Sequence, residues 1–155
     1  MIKLSGIDDC FYASPGSAGF DIRAKESGVL APGEIKCIPT GIRIIEVGEF
    51  PINLPHGRVL PHGRVLPHYV PEIQIRPRSG LATKGINVAN SPSTIDCDYR
   101  GEISVILINH SKEEFRYMEG DRIAQGVCSL VVQLKCIQVR DTIRGEGGFG
   151  HTGVK

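Results

Sequence analysis

The sequence predicts an all-β fold closed into a barrel or sandwich, and three observations carry that expectation. Apolar residues come in short runs rich in β-branched side chains, at residues 35–47, 103–108, 127–132 and 134–139. Between them stand 19 glycines and 10 prolines, which interrupt the chain too often for long helices. No segment sustains a 3.6-residue apolar period with a cap at each end, so one short helical turn around residues 79–84 is all the helix expected. Sheets built from many short strands hide their edges by closing on themselves or by pairing with another subunit, so oligomerisation is expected too.

A length of 155 residues suits one domain, 1–155, able to bury a core without a disulfide or metal staple. With 18 basic and 17 acidic side chains the formal net charge is +1, which offers no global field for nucleic acid or an anionic membrane. Phosphate binding, if present, must therefore be local. Cys10, Cys37, Cys97, Cys128 and Cys136 form an odd set with no C-x-x-C pair, which argues against a disulfide framework or a zinc knuckle and for a reducing cytoplasm. Asp8 and Asp9 follow closely on the N-terminus, and no apolar stretch has signal or membrane-span length. No nucleic-acid or membrane partner is expected.

After the run at 35–47, residues 54–68 read LPHGRV twice and begin it a third time. Two copies are too few for a solenoid, and Pro55, Pro61 and Pro67 would each remove a ladder donor, so the segment reads as an inserted surface loop or ribbon. His56, His62 and His68 recur every six residues, which raises a metal reading beside the simpler one of a duplicated solvent-facing loop.

Next, alternation at Ile73 and Ile75 predicts a strand that runs into RPRSGLA at 76–82. Guanidinium groups, a serine hydroxyl and a glycine that admits close approach are the components of a phosphate site; a capped strand end with solvated arginines reads equally well. Residues 96–102, DCDYRGE, crowd carboxylates into a turn ahead of the most apolar run. One of them beside a water would act as a general base, or the segment is a charged β-turn with Arg100 paired to Glu102. Residues 144–153, RGEGGFGHTG, contain G-x-G-x-x-G, but the chain ends too soon for the helix and second strand that a dinucleotide fold requires. A flexible glycine-rich arm remains, equipped as a lid or free as a terminus.

Read in order, these segments resemble the five motifs of the trimeric deoxyuridine triphosphate nucleotidohydrolases (dUTPases). They are AGFDIRA at 18–24, RPRSGLA at 76–82, NSPSTIDCDYRGE at 90–102, GDRIAQ at 120–125 and RGEGGFGHTG at 144–153. The resemblance implies a jelly-roll-like β-barrel or sandwich protomer, a C-terminal lid at 144–155, and a homotrimer whose sites are shared between chains. It implies hydrolysis of dUTP to dUMP and pyrophosphate with Mg2+, which supplies dUMP and keeps uracil out of DNA.

The resemblance also implies roles. Asp96 would activate the water that attacks the α-phosphorus, and Gln125 would hold the α-phosphate and that water. Arg78, Ser79 and Gly80 would bind the triphosphate, with the Ser79 hydroxyl at the oxygen bridging the α- and β-phosphates. Asn90, with the hairpin through Thr94 and Ile95, would read the uracil edge, and Tyr99 would lie against the deoxyribose and exclude a 2′-hydroxyl. Arg144 would clamp the γ-phosphate, Phe149 would stack on uracil, and Gly150, His151 and Thr152 would add phosphate donors. Asp21 takes a supporting role. No protein side chain is expected to ligate the metal, which the triphosphate and waters hold.

Hydrogen-bond polarity must separate uracil from cytosine, since their sizes match. Two departures stand out: His151 occupies a position where the family usually has serine, and the insertion at 54–68 replaces a short connection. Competing readings are a dCTP deaminase-type relative on the same fold, which would need a glutamate base and no Phe149 arm, and a nucleotide-binding regulator without catalysis.

Overall fold

Along the most apolar run, residues 103, 105, 107 and 109 are buried while those between them are half-exposed, the period of two that marks a strand with one face on a core. The computed structural model describes residues 2–6, 12–48 and 68–133. In chain order these form β1 Ile2–Ser5, β2 Gly19–Arg23, β3 Gly28–Leu30, β4 Ile35–Val47, β5 His68–Arg76, α1 Ser79–Ala82, β6 Ile86–Val88, β7 Ser93–Asp96, β8 Ile103–Asn109, β9 Phe115–Tyr117 and β10 Arg122–Gln133. No helix among them is long and apolar enough to cross a membrane.

One sheet has the order β1-β4-β8-β6, a second β2-β10-β5-β7, and β3 pairs with β9. The pairings are antiparallel throughout. Ile38, Ile44, Val105 and Leu107 from the first sheet and Ile22, Ile73, Ile75 and Ile123 from the second belong to one apolar cluster, so the sheets face each other across a shared core. The architecture is a jelly-roll-like β-sandwich, as expected.

Polar devices fix the joints. Asn109 is fully buried at the end of β8; its amide donates to the carbonyls of Leu30 (2.9 Å) and Glu113 (2.8 Å) and its oxygen accepts from Ser111. Strand β4 is irregular between Pro39 and Ile42, where Gly41 takes φ +76°. The Glu102 carboxylate accepts the Gly41 N–H at 2.8 Å and pins that bend to the start of β8.

The strands at 35–47 and 103–108 and the helical turn near 79 lie where the sequence places them. Strand β10 starts at Arg122, five residues before the expected 127, because Asp21 and its neighbours on β2 pair with this polar stretch. His68, assigned to the inserted loop, is instead the first residue of β5 and pairs with Gln133. The rest of the insertion, the expected strand at 134–139 and the arm at 144–155 with Arg144, Phe149, Gly150, His151 and Thr152 lie outside the described residues.

Candidate active site

Register alone assembles the middle of the site. Gln125 on β10 pairs with Asp21 on β2 to one side and with Arg76 on β5 to the other, so these three side chains share one rung and one face. That face is turned from the core, because the alternating neighbours Phe20, Ile22, Ile75 and Ala124 are buried inward.

Beyond Arg76 the chain leaves the sheet at Pro77 and turns into α1. Arg78 precedes the helix with extended backbone (φ −87°, ψ 133°), and its carbonyl accepts from Leu81 and Ala82. This short turn sets Arg78, Ser79 and Gly80 beside the rung. The result is a cleft of about 530 Å³ whose lining includes Asp21, Arg76, Arg78, Ser79, Gly80 and Gln125.

Asp21 is the electrostatic hub. One oxygen meets Arg78 Nε at 3.1 Å and the other meets Arg122 Nη1 at 3.2 Å, while the carboxylate side chain is 19% exposed. Arg78 also donates to the Arg122 carbonyl at 3.2 Å. One carboxylate thus orients two guanidiniums and leaves the group of three with a net positive charge, suited to an anion. Gln125 donates its amide N–H to the Pro77 carbonyl at 2.9 Å, which fixes the orientation of the side chain. Gly19 lies beside it, and a Cβ there would come within 2.8 Å of the Gln125 oxygen.

Asn90, Thr94, Ile95, Asp96 and Tyr99 form a separate unit, the hairpin around β7. Strand β7 is at the edge of its sheet, with Asp96 opposite Glu72. Glu72 is four residues from Arg76 along β5, about 13 Å at strand spacing, so Asp96 stands well away from the cleft of its own chain. Asn90 and Thr94 are exposed, and Ile95 packs against the core. Tyr99 is 44% exposed; its hydroxyl donates to the Glu102 carbonyl at 3.2 Å and its ring crosses Gly101 so closely that a Cβ there would fall 2.2 Å from the hydroxyl oxygen.

The anticipated Arg100–Glu102 pair is absent. Arg100 donates to the carbonyls of Cys97 (2.8 Å) and Tyr99 (3.1 Å), stiffening the turn, while Glu102 is taken by Gly41. Sequence reasoning also passed over Arg122 as the second partner of Asp21. The signal was available in strand alternation, which puts Asp21 and Arg23 together on the face opposite the buried Phe20 and Ile22, and the pairing of Arg122 with Arg23 and of Gln125 with Asp21 brings Arg122 within reach of the Asp21 carboxylate.

A family model described as dUTPase matches residues 64–153. The chain is 46% identical over 166 residues to a deoxyuridine 5′-triphosphate nucleotidohydrolase of Thermoanaerobacter, covering 99% of this chain and 98% of the relative. It is 47% identical over 147 residues to the one from Nautilia profundicola, covering 92% and 88%. Among solved structures, the Staphylococcus bacteriophage 80alpha dUTPase with dUPNHPP superposes with a TM-score of 0.67 at 22% identity, covering 99% of each chain. The EIAV dUTPase gives 0.64 at 23% identity, covering 96% of this chain and 100% of that one.

Proposed function

The chain belongs to the dUTPase family, and from that premise we propose that it hydrolyses dUTP to dUMP and pyrophosphate in a site completed between subunits of a homotrimer. The observation that carries the reading is the cleft: Arg78 oriented by Asp21, a serine and a glycine at a helical turn, and a fixed glutamine line one anion-sized opening, with Arg122 on the other oxygen of Asp21.

In the proposed reaction Asp96 takes the proton of a water as its oxygen attacks the α-phosphorus. The bond from the α-phosphorus to the bridging oxygen breaks, and its electron pair leaves with pyrophosphate. Ser79 donates to that bridging oxygen, Arg78 stabilises the charge on the departing group, and Gln125 holds the α-phosphate. Asn90, with the hairpin at Thr94 and Ile95, reads the uracil edge, Tyr99 covers the sugar, and Arg144, Phe149, Gly150, His151 and Thr152 close from the arm.

The cleft and the hairpin are on one chain but apart, and Tyr99 is open to solvent. A neighbouring subunit's cleft brought against the hairpin unites Asp96 with the phosphates, which is the support for a trimer with three shared sites. Mg2+ fits as a guest of the substrate: it is a hard cation for triphosphate oxygens, and Asp21, the carboxylate of the cleft, has both oxygens on guanidiniums. Bound there it would neutralise charge on the pyrophosphate. The enzyme would act on the cytoplasmic nucleotide pool.

The test is pyrophosphate release from dUTP, dTTP, dCTP and UTP with Mg2+, on wild type and Asp96→Asn together. Release from dUTP alone, lost in the variant, supports the reading; equal turnover of all four, or full activity without the Asp96 carboxylate, overturns it.

A further inference from the structure

Arg76 has no role in the reaction just described, yet it lines the cleft and is exposed. Of the guanidiniums nearby, Arg78 in the cleft and Arg122 on the other side of Asp21 both spend charge on that carboxylate. Arg76 meets no carboxylate among the described residues; its partner is the neutral side chain of Gln74. A triphosphate entering the cleft therefore finds its least compensated positive charge at Arg76.

The orientation of that charge is built by its own strand. Glu72, Gln74 and Arg76 alternate with the buried Ile73 and Ile75, so the three share the outer face. Glu72 is 6% exposed, and its carboxylate can only accept; Gln74 therefore turns its NH2 to Glu72 and its carbonyl toward Arg76. Arg76 gives Nε, at 3.1 Å, and Nη2 to that carbonyl oxygen. A guanidinium has five N–H donors, so three stay free for a ligand.

We infer that Arg76 is a phosphate-binding residue of the cleft, held in position by Gln74 and, through it, by Glu72. The inference rests on the proposed dUTP hydrolysis for its substrate. Arg76 adds binding that ground state and transition state share, so its loss acts on KM more than on kcat.

The experiment compares Arg76→Ala, Arg76→Lys and Glu72→Gln with wild type in dUTP turnover, and measures pyrophosphate binding to each by calorimetry. Arg76→Ala is expected to raise KM for dUTP about tenfold or more, the scale of a charge-assisted contact, with kcat within about threefold. Pyrophosphate should bind it more weakly by a similar factor. Lysine should recover part of the loss as a point charge without the fork. Glu72→Gln should weaken pyrophosphate less than Arg76→Ala does, because the second amide no longer dictates which way Gln74 faces.

A folded Arg76→Ala protein with unchanged KM and unchanged pyrophosphate affinity overturns the inference, as does a fall in kcat with pyrophosphate binding intact. If wild type fails to turn over dUTP, the functional reading fails by itself, while the calorimetry still reports on Arg76.

Discussion

Asp96 gives the proposed chemistry its most exacting single-residue test. Asparagine keeps the size and the strand position and cannot take a proton, so Asp96→Asn is expected to lower kcat about a thousandfold while leaving the melting temperature within a few degrees. Steady-state kinetics beside a thermal melt would check both; a loss of stability equal to the loss of rate would assign Asp96 a structural role instead. Asn109 makes the opposite case. It is fully buried and bonded to Leu30, Ser111 and Glu113, so Asn109→Ala should cost about 2–3 kcal/mol in chemical denaturation with little change in KM. The cleft residues Arg78, Ser79 and Gly80 were legible in the chain because a compact motif holds them. Asn109 was not, since an asparagine at the end of an apolar run looks like a turn residue until the two loops it bridges are in place.

Elements differ in the same way. The long runs at β4 and β8 declared themselves by their β-branched residues, whereas β2, β3, β6, β7 and β9 have three to five residues each and take their form from sheet neighbours. In the proposed reaction the hairpin carrying Asp96 and Tyr99 is the element on which substrate choice would depend, and the Tyr99 ring rests against Gly101. A methyl at 101 would meet the Tyr99 hydroxyl and ring carbon at 2.2 and 2.4 Å, forcing the ring off its bond to Glu102. Gly101→Ala is therefore expected to narrow the preference for dUTP over UTP about tenfold, read as the ratio of the two kcat/KM values. An unchanged ratio would detach Tyr99 from sugar discrimination. Deleting residues 144–155 should lower kcat/KM for dUTP by about a hundredfold while leaving the melting temperature of the sandwich in place.

At the scale of the whole molecule, the prediction concerns where one chain's site ends. Asp96→Asn chains and Arg78→Ala chains should each be inactive alone, but mixed, unfolded and refolded together they should regain about a quarter of wild-type activity, from random assortment around a closed trimer. No recovery in mixed trimers of confirmed stoichiometry would place the cleft and the hairpin in the service of one chain. The sandwich class was readable from punctuation and strand composition, because those are local. The separation of Asp96 from the cleft was not, because it depends on which strands become neighbours: β5 joins β7 on one side and β10 on the other, and the distance along β5 from Glu72 to Arg76 has no signature in either motif.

That separation bears on inheritance. A chain damaged only in its hairpin still lends an intact cleft to its neighbour, so in a cell expressing damaged and sound copies equally, activity should fall in proportion to dose, to about half. A chain damaged in both hairpin and cleft withdraws from two sites at once, and the same dose should leave about a quarter. A second lesion on an already damaged copy would therefore halve activity again, which it could not do if each site belonged to a single chain. Growth of strains carrying both alleles, set against measured dUTP turnover in their extracts, would show whether the fold imposes that rule.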